Sequence, residues 1–178
     1  MSILKVAQLG HPVLRKPARK VTQTELNDSV IQTLIDDMFE TMHEYQGIGL
    51  AAPQVHFGLR LFVAGVDDPE VGVPPVVMVN PEILPVGEAV EDGWEGCLSI
   101  PDIRGRVSRK AEILVRSLDR DGRERTMTTS GFSARVIQHE TDHLDGVLFL
   151  DRMTSLDSLT YLTEYDRYWS DTEASEGA

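Results

Sequence analysis

The chain has 178 residues, 41% of them hydrophobic and 26% charged, with a formal net charge of −12. That length predicts one domain with a core of its own. The lone cysteine excludes an internal disulfide, the acidic balance opposes nonspecific nucleic-acid binding, and no run approaches the roughly 18 apolar residues of a membrane span. The opening Met1-Ser2-Ile3-Leu4-Lys5 lacks an extended apolar segment with a cleavage site, so a cytoplasmic location with no membrane partner is expected.

In chain order, residues 26–45 carry Val30, Ile31, Leu34, Ile35, Met38, Phe39 and Met42 at a period of about 3.6, which predicts a long helix packed on the core. Gly47 reads as its terminator, and Gly49 as a site of unusual dihedral or close backbone approach. No strand is predicted before these glycines and no lysine follows them in the pattern of a phosphate-cradling loop. Gln54, just after Pro53, reads by itself as a loop hydrogen-bonder. Residues 60–66, 76–80 and 112–118 are short and β-branched, hence strands. The segment 67–75, with its prolines Pro69, Pro74 and Pro75, reads as a loop. Arg104, Arg106, Arg109 and Lys110 form a basic cluster that could face ribosomal RNA, although such runs are usually just solvated. Asp119-Arg120-Asp121-Gly122 turns the chain back toward a strand at 123–129.

A second helix is marked by Ser130, Gly131 and Ser133 at its start, by Ala134, Val136, Ile137 and Leu144 at helical spacing, and by Gly146 at its end. One long helix, several antiparallel strands and this later helix make an α+β domain. Residues 1–165 are expected to form a single domain, and 166–178 an acidic, flexible tail.

The later helix holds the chemistry. Gln138-His139-Glu140-Thr141-Asp142-His143 places two imidazoles at i and i+4, about 5–6 Å apart at Cβ, so that both can reach one metal ion at roughly 2.0–2.1 Å. Such an ion lowers the pKa of bound water from about 15.7 toward 7, and Glu140 is placed to take the proton. A third ligand decides whether the pattern is a site or a solvated helix face. A third histidine in the pattern of one large class of zinc proteases is excluded, because Phe149 stands at its offset. Glu164 and Cys97 remain, the latter in Trp94-Glu95-Gly96-Cys97-Leu98-Ser99. By itself a lone cysteine is usually a small buried hydrophobe.

Glu95-Gly96-Cys97-Leu98-Ser99, Gln138 to His143, and Gly47-Ile48-Gly49-Leu50-Ala51-Ala52-Pro53-Gln54 resemble, in order and spacing, the three signature segments of the peptide deformylases. Asp36-Asp37-Met38-Phe39-Glu40-Thr41-Met42 is similar too, and the likeness runs to about residue 155. The resemblance implies antiparallel sheets around a central helix that carries the two histidines. It also implies removal of the formyl group from the N-terminal methionine of new proteins. Carried onto matching positions, it makes Cys97, His139 and His143 the metal ligands, Glu140 the general base and acid, and Gln54 with the backbone N–H of Leu98 the oxyanion hole. It implies that Ile48, Gly49 and Gly96 bind the peptide backbone. Leu98, Ile48 and Val136 are candidates for the methionine pocket and Arg104 for its rim. Sulfur and nitrogen ligands suit zinc, whereas the resemblance implies ferrous iron, one per chain, with zinc, nickel or cobalt as replacements. The implied partners are formyl-methionyl nascent peptides. Two rivals stand beside this reading: a zinc endopeptidase using His139, His143 and Glu164, and a non-enzymatic module with a structural metal.

Overall fold

The computed structural model describes residues 2–65 and 72–170. Five α-helices are present among them, α1 (Gln23–Leu26), α2 (Ser29–Glu44), α3 (Gly131–Leu144), α4 (Phe149–Arg152) and α5 (Leu162–Tyr168), with two 3-10 turns at Pro12–Arg15 and Ala52–Val55. The strands are β1 (Gly49–Ala51), β2 (Leu61–Ala64), β3 (Val76–Pro85), β4 (Val90–Cys97), β5 (Ile100–Lys110), β6 (Glu112–Leu118), β7 (Glu124–Ser130) and β8 (Thr160–Tyr161). They form two antiparallel sheets, ordered β1-β2-β3-β6-β7 and β4-β5-β8.

The long helix starts three residues later than its apolar stripe suggests. Thr22 and Glu25 close a capping box over α1, and Asp28 then accepts from the Val30 N–H to begin α2. Ile31, Leu34, Ile35, Met38 and Met42 of α2 pack with Leu50, Leu61, Val63 and Val79 of the first sheet. Gly47 does not end this helix by a left-handed conformation. Gln46 takes that role at φ 54°, while the N–H groups of Gln46 and Gly47 bond to the carbonyls of His43 and Met42.

Helix α3 lies between the sheets, touching β1, β2, β6 and β7 on one side and β5 on the other. Ala134, Val136, Ile137 and Leu144 join Ala51, Phe62, Met78, Ile113 and Val115 in a second core cluster. Ser130 occupies the N-cap position without a side-chain bond to the helix, so its predicted capping role is not realised. At the other end Gly146, at φ 75°, closes α3 as expected, with the Val147 N–H returning to the Asp142 carbonyl.

Sequence patterning did not find β4 and β5, which run antiparallel from Val90↔Lys110 to Cys97↔Ile100 with a register shift at Cys97. Consequently the basic cluster is not one surface. Arg106 is exposed, but Arg109 alternates inward with Gly105 and Val107 and is only 6% exposed. Of the predicted loop 67–75, residues 67–71 lie outside the described residues, and 72–75 are irregular. The expected boundary at 165/166 falls within α5, and Trp169 just beyond that helix packs on Trp94 with ring centroids 5.8 Å apart. Residues 171–178 of the predicted tail lie outside the described residues. No helix among the described residues is long and apolar enough to cross a membrane.

Candidate metal centre

Three donors from two elements, α3 and β4, converge. The helical repeat of α3 brings the rings of His139 and His143 to 5.0 Å between centroids. The end of β4 delivers Cys97, whose Sγ lies 3.2 Å from His143 Nε2. The Cys97 sulfur and the two ring nitrogens offer donor atoms within 4.8 Å of one another. Two bonds of about 2.3 Å to sulfur and 2.0–2.1 Å to nitrogen at a tetrahedral angle would separate those donors by about 3.5 Å, so the set is close to a ligand geometry. Glu164 is remote from this convergence: it pairs with Arg167 on α5.

The surroundings orient each donor. His139 Nδ1 is 2.9 Å from Glu95, which turns Nε2 toward the sulfur. Glu95 is in turn held by Arg109 at 2.8 and 2.9 Å and by Arg135 at 3.0 Å, and Arg109 reaches on to Asp142 at 2.5 Å. Arg152 closes the chain of charges on Asp142. Burial alone would raise the Glu95 pKa, but hydrogen bonds from Arg109 and His139 hold it well below the usual carboxylate range. Burial also opposes charge on Cys97 and His139. Their mutual hydrogen bond, with His143 beside the sulfur and Glu95 beside His139, outweighs it, driving the thiol pKa down and the His139 pKa up.

Glu140 is 4% exposed, and burial is the main cause that pushes its carboxyl up to about 7. Its Oε2 and His143 Nδ1 are buried without a hydrogen-bond partner among the described residues. A soft sulfur, two imidazoles and an adjacent carboxylate with one unpartnered oxygen fit a divalent cation. Gly49 makes room for this carboxylate, since a Cβ there would lie 2.3 Å from Glu140 Oε1. The close-approach reading of that glycine therefore holds. Gly47 has the same reason, facing Leu98 at 2.8 Å.

Gln54 is fully buried. Its Oε1 accepts from the Ala51 N–H at 2.8 Å, which aims Nε2 at Ser99 Oγ (3.2 Å) and Cys97 Sγ (3.5 Å). Ile48, Gly49, Gln54, Gly96, Cys97, Leu98, Arg104, Val136, His139 and Glu140 all line one cleft of roughly 610 Å³. His143 is fully buried behind them. Sequence reasoning gave no role to Glu95, Arg135 or Asp142 and placed Arg109 in a surface basic cluster, although Glu95 and Asp142 lie inside the two segments that drew attention. Acids beside metal-binding histidines were the available signal. A second cleft, of roughly 540 Å³, opens on the opposite face of α3 by Gln138, Thr141 and Asp145. Its cations are paired with carboxylates, as in Arg60–Asp145, Arg152–Asp142 and Lys110–Glu88.

Comparison with known proteins decides what this geometry belongs to. The family model for polypeptide deformylase matches residues 3–158. The chain belongs to the polypeptide deformylase family. Peptide deformylase 1 of Prochlorococcus marinus (strain MIT 9313) is 43% identical over 172 residues, covering 93% of this chain and 88% of the relative. The deformylase structure from Thermotoga maritima aligns with a TM-score of 0.80 at 41% identity, over 87% of this chain and 100% of that one. A class I type b peptide deformylase from Acinetobacter baumannii, solved with Met-Ala-Ser bound, gives 0.80 at 41% identity, over 86% and 100%. This deformylase is thus a metal-dependent hydrolase of protein biosynthesis that deformylates nascent peptides, with Cys97, His139 and His143 as the candidate metal donors.

Proposed function

We propose that the cleft hydrolyses the N-formyl amide of formyl-methionyl peptides through Glu140, with Cys97, His139 and His143 holding one divalent metal ion. The observation that carries this is the convergence of the Cys97 sulfur with both imidazoles beside a buried carboxyl pushed up to about 7. The metal, when bound, acidifies water and polarises the formyl carbonyl. Glu140 accepts a proton from the attacking water as the water oxygen bonds to the formyl carbon. It then returns that proton to the amide nitrogen as the C–N bond breaks, giving formate and a free amine. A carboxyl whose pKa lies near neutrality can do both.

Negative charge on the formyl oxygen is met by Gln54 Nε2, already fixed beside Cys97, and by the Leu98 N–H. Ile48, Gly49 and Gly96 grip the substrate main chain, which leaves side chains beyond methionine unread by these groups. Val136, Ile48 and Leu98 wall an apolar pocket for the methionine, with Arg104 at the rim. The Met-Ala-Ser complex of the Acinetobacter deformylase favours the same use of this cleft. Iron(II) is the proposed ion, zinc, nickel and cobalt being the substitutes that the same ligands accept. The catalytic unit is proposed to run past the expected end at residue 165, because α5 continues to Tyr168 and Trp169 packs on Trp94.

The test is formate release from formyl-Met-Ala by anaerobically prepared, metal-loaded protein. Turnover by the wild type and its loss in Glu140→Ala, with metal and fold retained, is the expected result. Hydrolysis of internal peptide bonds regardless of formylation would favour an endopeptidase instead.

A further inference from the structure

The β8–α5 segment lies beyond residue 158, where the family match ends, yet it reaches the catalytic cleft. Thr160 and Tyr161 add a short strand to β5 at Arg104 and Ile103. Tyr165 then meets the Trp94 ring edge-on at 5.1 Å, and Trp169 tilts against it at 5.8 Å. This latch places Leu162, the first residue of α5, in the wall of the cleft that Trp94, Cys97 and His139 also line.

We propose that Leu162 and Trp94 form an apolar wall that reads the third residue of the formyl-peptide, a selectivity supplied by this chain's own C-terminal segment. The proposal rests on the deformylase reading above. Distance selects the position. Trp94 precedes Cys97 by three residues on β4, so it stands about 10 Å or less along the strand from the reacting end. An extended peptide covers about the same span from its formyl carbon to its third residue. The wall is apolar while the neighbouring groups at Glu95, Arg135 and Arg104 are charged, so a leucine-like side chain gains there and a small polar one does not. Tyr165 and Trp169 are positioning residues, because they act by holding α5 against Trp94.

The experiment measures kcat/KM of the metal-loaded enzyme for formyl-Met-Ala-Leu and formyl-Met-Ala-Ser, with formyl-Met-Ala as reference. The wild type should favour the leucine peptide by about five- to tenfold, at the low end for an apolar contact because the cleft is open to water, and mainly through KM. Leu162→Ala should bring the leucine-to-serine ratio close to one. The double variant Tyr165→Ala/Trp169→Ala should do the same without altering the cleft lining, whereas the exposed Tyr168→Ser should keep the wild-type ratio. A wild-type ratio near one, or an unchanged ratio in Leu162→Ala, overturns the proposal. Failure of the wild type to release formate from any of the three peptides would instead sink the deformylase reading, and this inference with it.

Discussion

His139 Nδ1 lies 2.9 Å from Glu95, and that carboxylate is clamped by Arg109, which in turn grips Asp142 three residues further along the same helix. The loop of charges ties the end of β4, which carries Cys97, to the helix that carries both histidines. Glu95→Ala should therefore cost about 3–5 kcal/mol of stability, since it strips a carboxylate from the buried Arg109. It should also weaken metal binding by about 10–100-fold. Denaturant titration and competition with a chelator measure the two effects. Because the folded-state pKa of Glu95 is depressed, its contribution is present above the ordinary carboxylate range and is lost as pH falls through the folded value. The wild type should lose more stability on acidification than Glu95→Gln does.

Gly49→Ala should reduce kcat/KM by about 100-fold or more while leaving the fold intact. The added Cβ would lie 2.3 Å from Glu140 Oε1, and displacing a proton-transfer group by about 1 Å has that order of cost. Steady-state kinetics alongside circular dichroism would check it; near-normal activity would mean that Glu140 is not confined by the β1 backbone.

Gln54→Ala should lower kcat by about 100- to 1000-fold with little change in KM, the pattern of a donor that acts on charge developed in the transition state. Gln54 is held by the Ala51 N–H and faces Cys97, so its loss removes a preorganised group. An effect confined to KM would place it in ground-state binding.

Metal uptake should release protons and strengthen as pH rises. In the metal-free chain His139 holds its proton well above the ordinary imidazole pKa because Cys97 and Glu95 accept from it, and a metal ligand must give that proton up. Titration calorimetry in buffers of different ionisation enthalpy reads the number released. A pH-independent affinity between about pH 6 and 8 would contradict the thiolate–imidazolium pairing.

Helices α2 and α3 and most of the first sheet were legible because apolar period and turn residues agree there. Residues 112–118 and the Asp119–Gly122 turn recur in β6 and its hairpin with β7. Strands β4 and β5 were hidden for a physical reason. In β4 the stretch Glu91-Asp92-Gly93 is polar, and in β5 the inward positions are Gly105, Val107 and Arg109, so an arginine that serves the site by burial looks like surface charge. The two histidines and Glu140 could be read from spacing alone, because a helix fixes them relative to one another. Cys97 could not, since only the packing of β4 on α3 brings it there; the family resemblance supplied it. Glu95 and Asp142 escaped because a buried carboxylate shows its purpose only through its partners.

X-ray absorption at the metal edge of the anaerobically prepared enzyme reads whether Cys97, His139 and His143 hold one ion. One sulfur at about 2.3 Å and nitrogen or oxygen neighbours at about 2.0–2.1 Å are expected for a tetrahedral ion, with the sulfur shell and the bound metal both lost in Cys97→Ala. A fully loaded wild type with only nitrogen and oxygen neighbours, or a Cys97→Ala variant that keeps its metal and still releases formate, would contradict this ligand set.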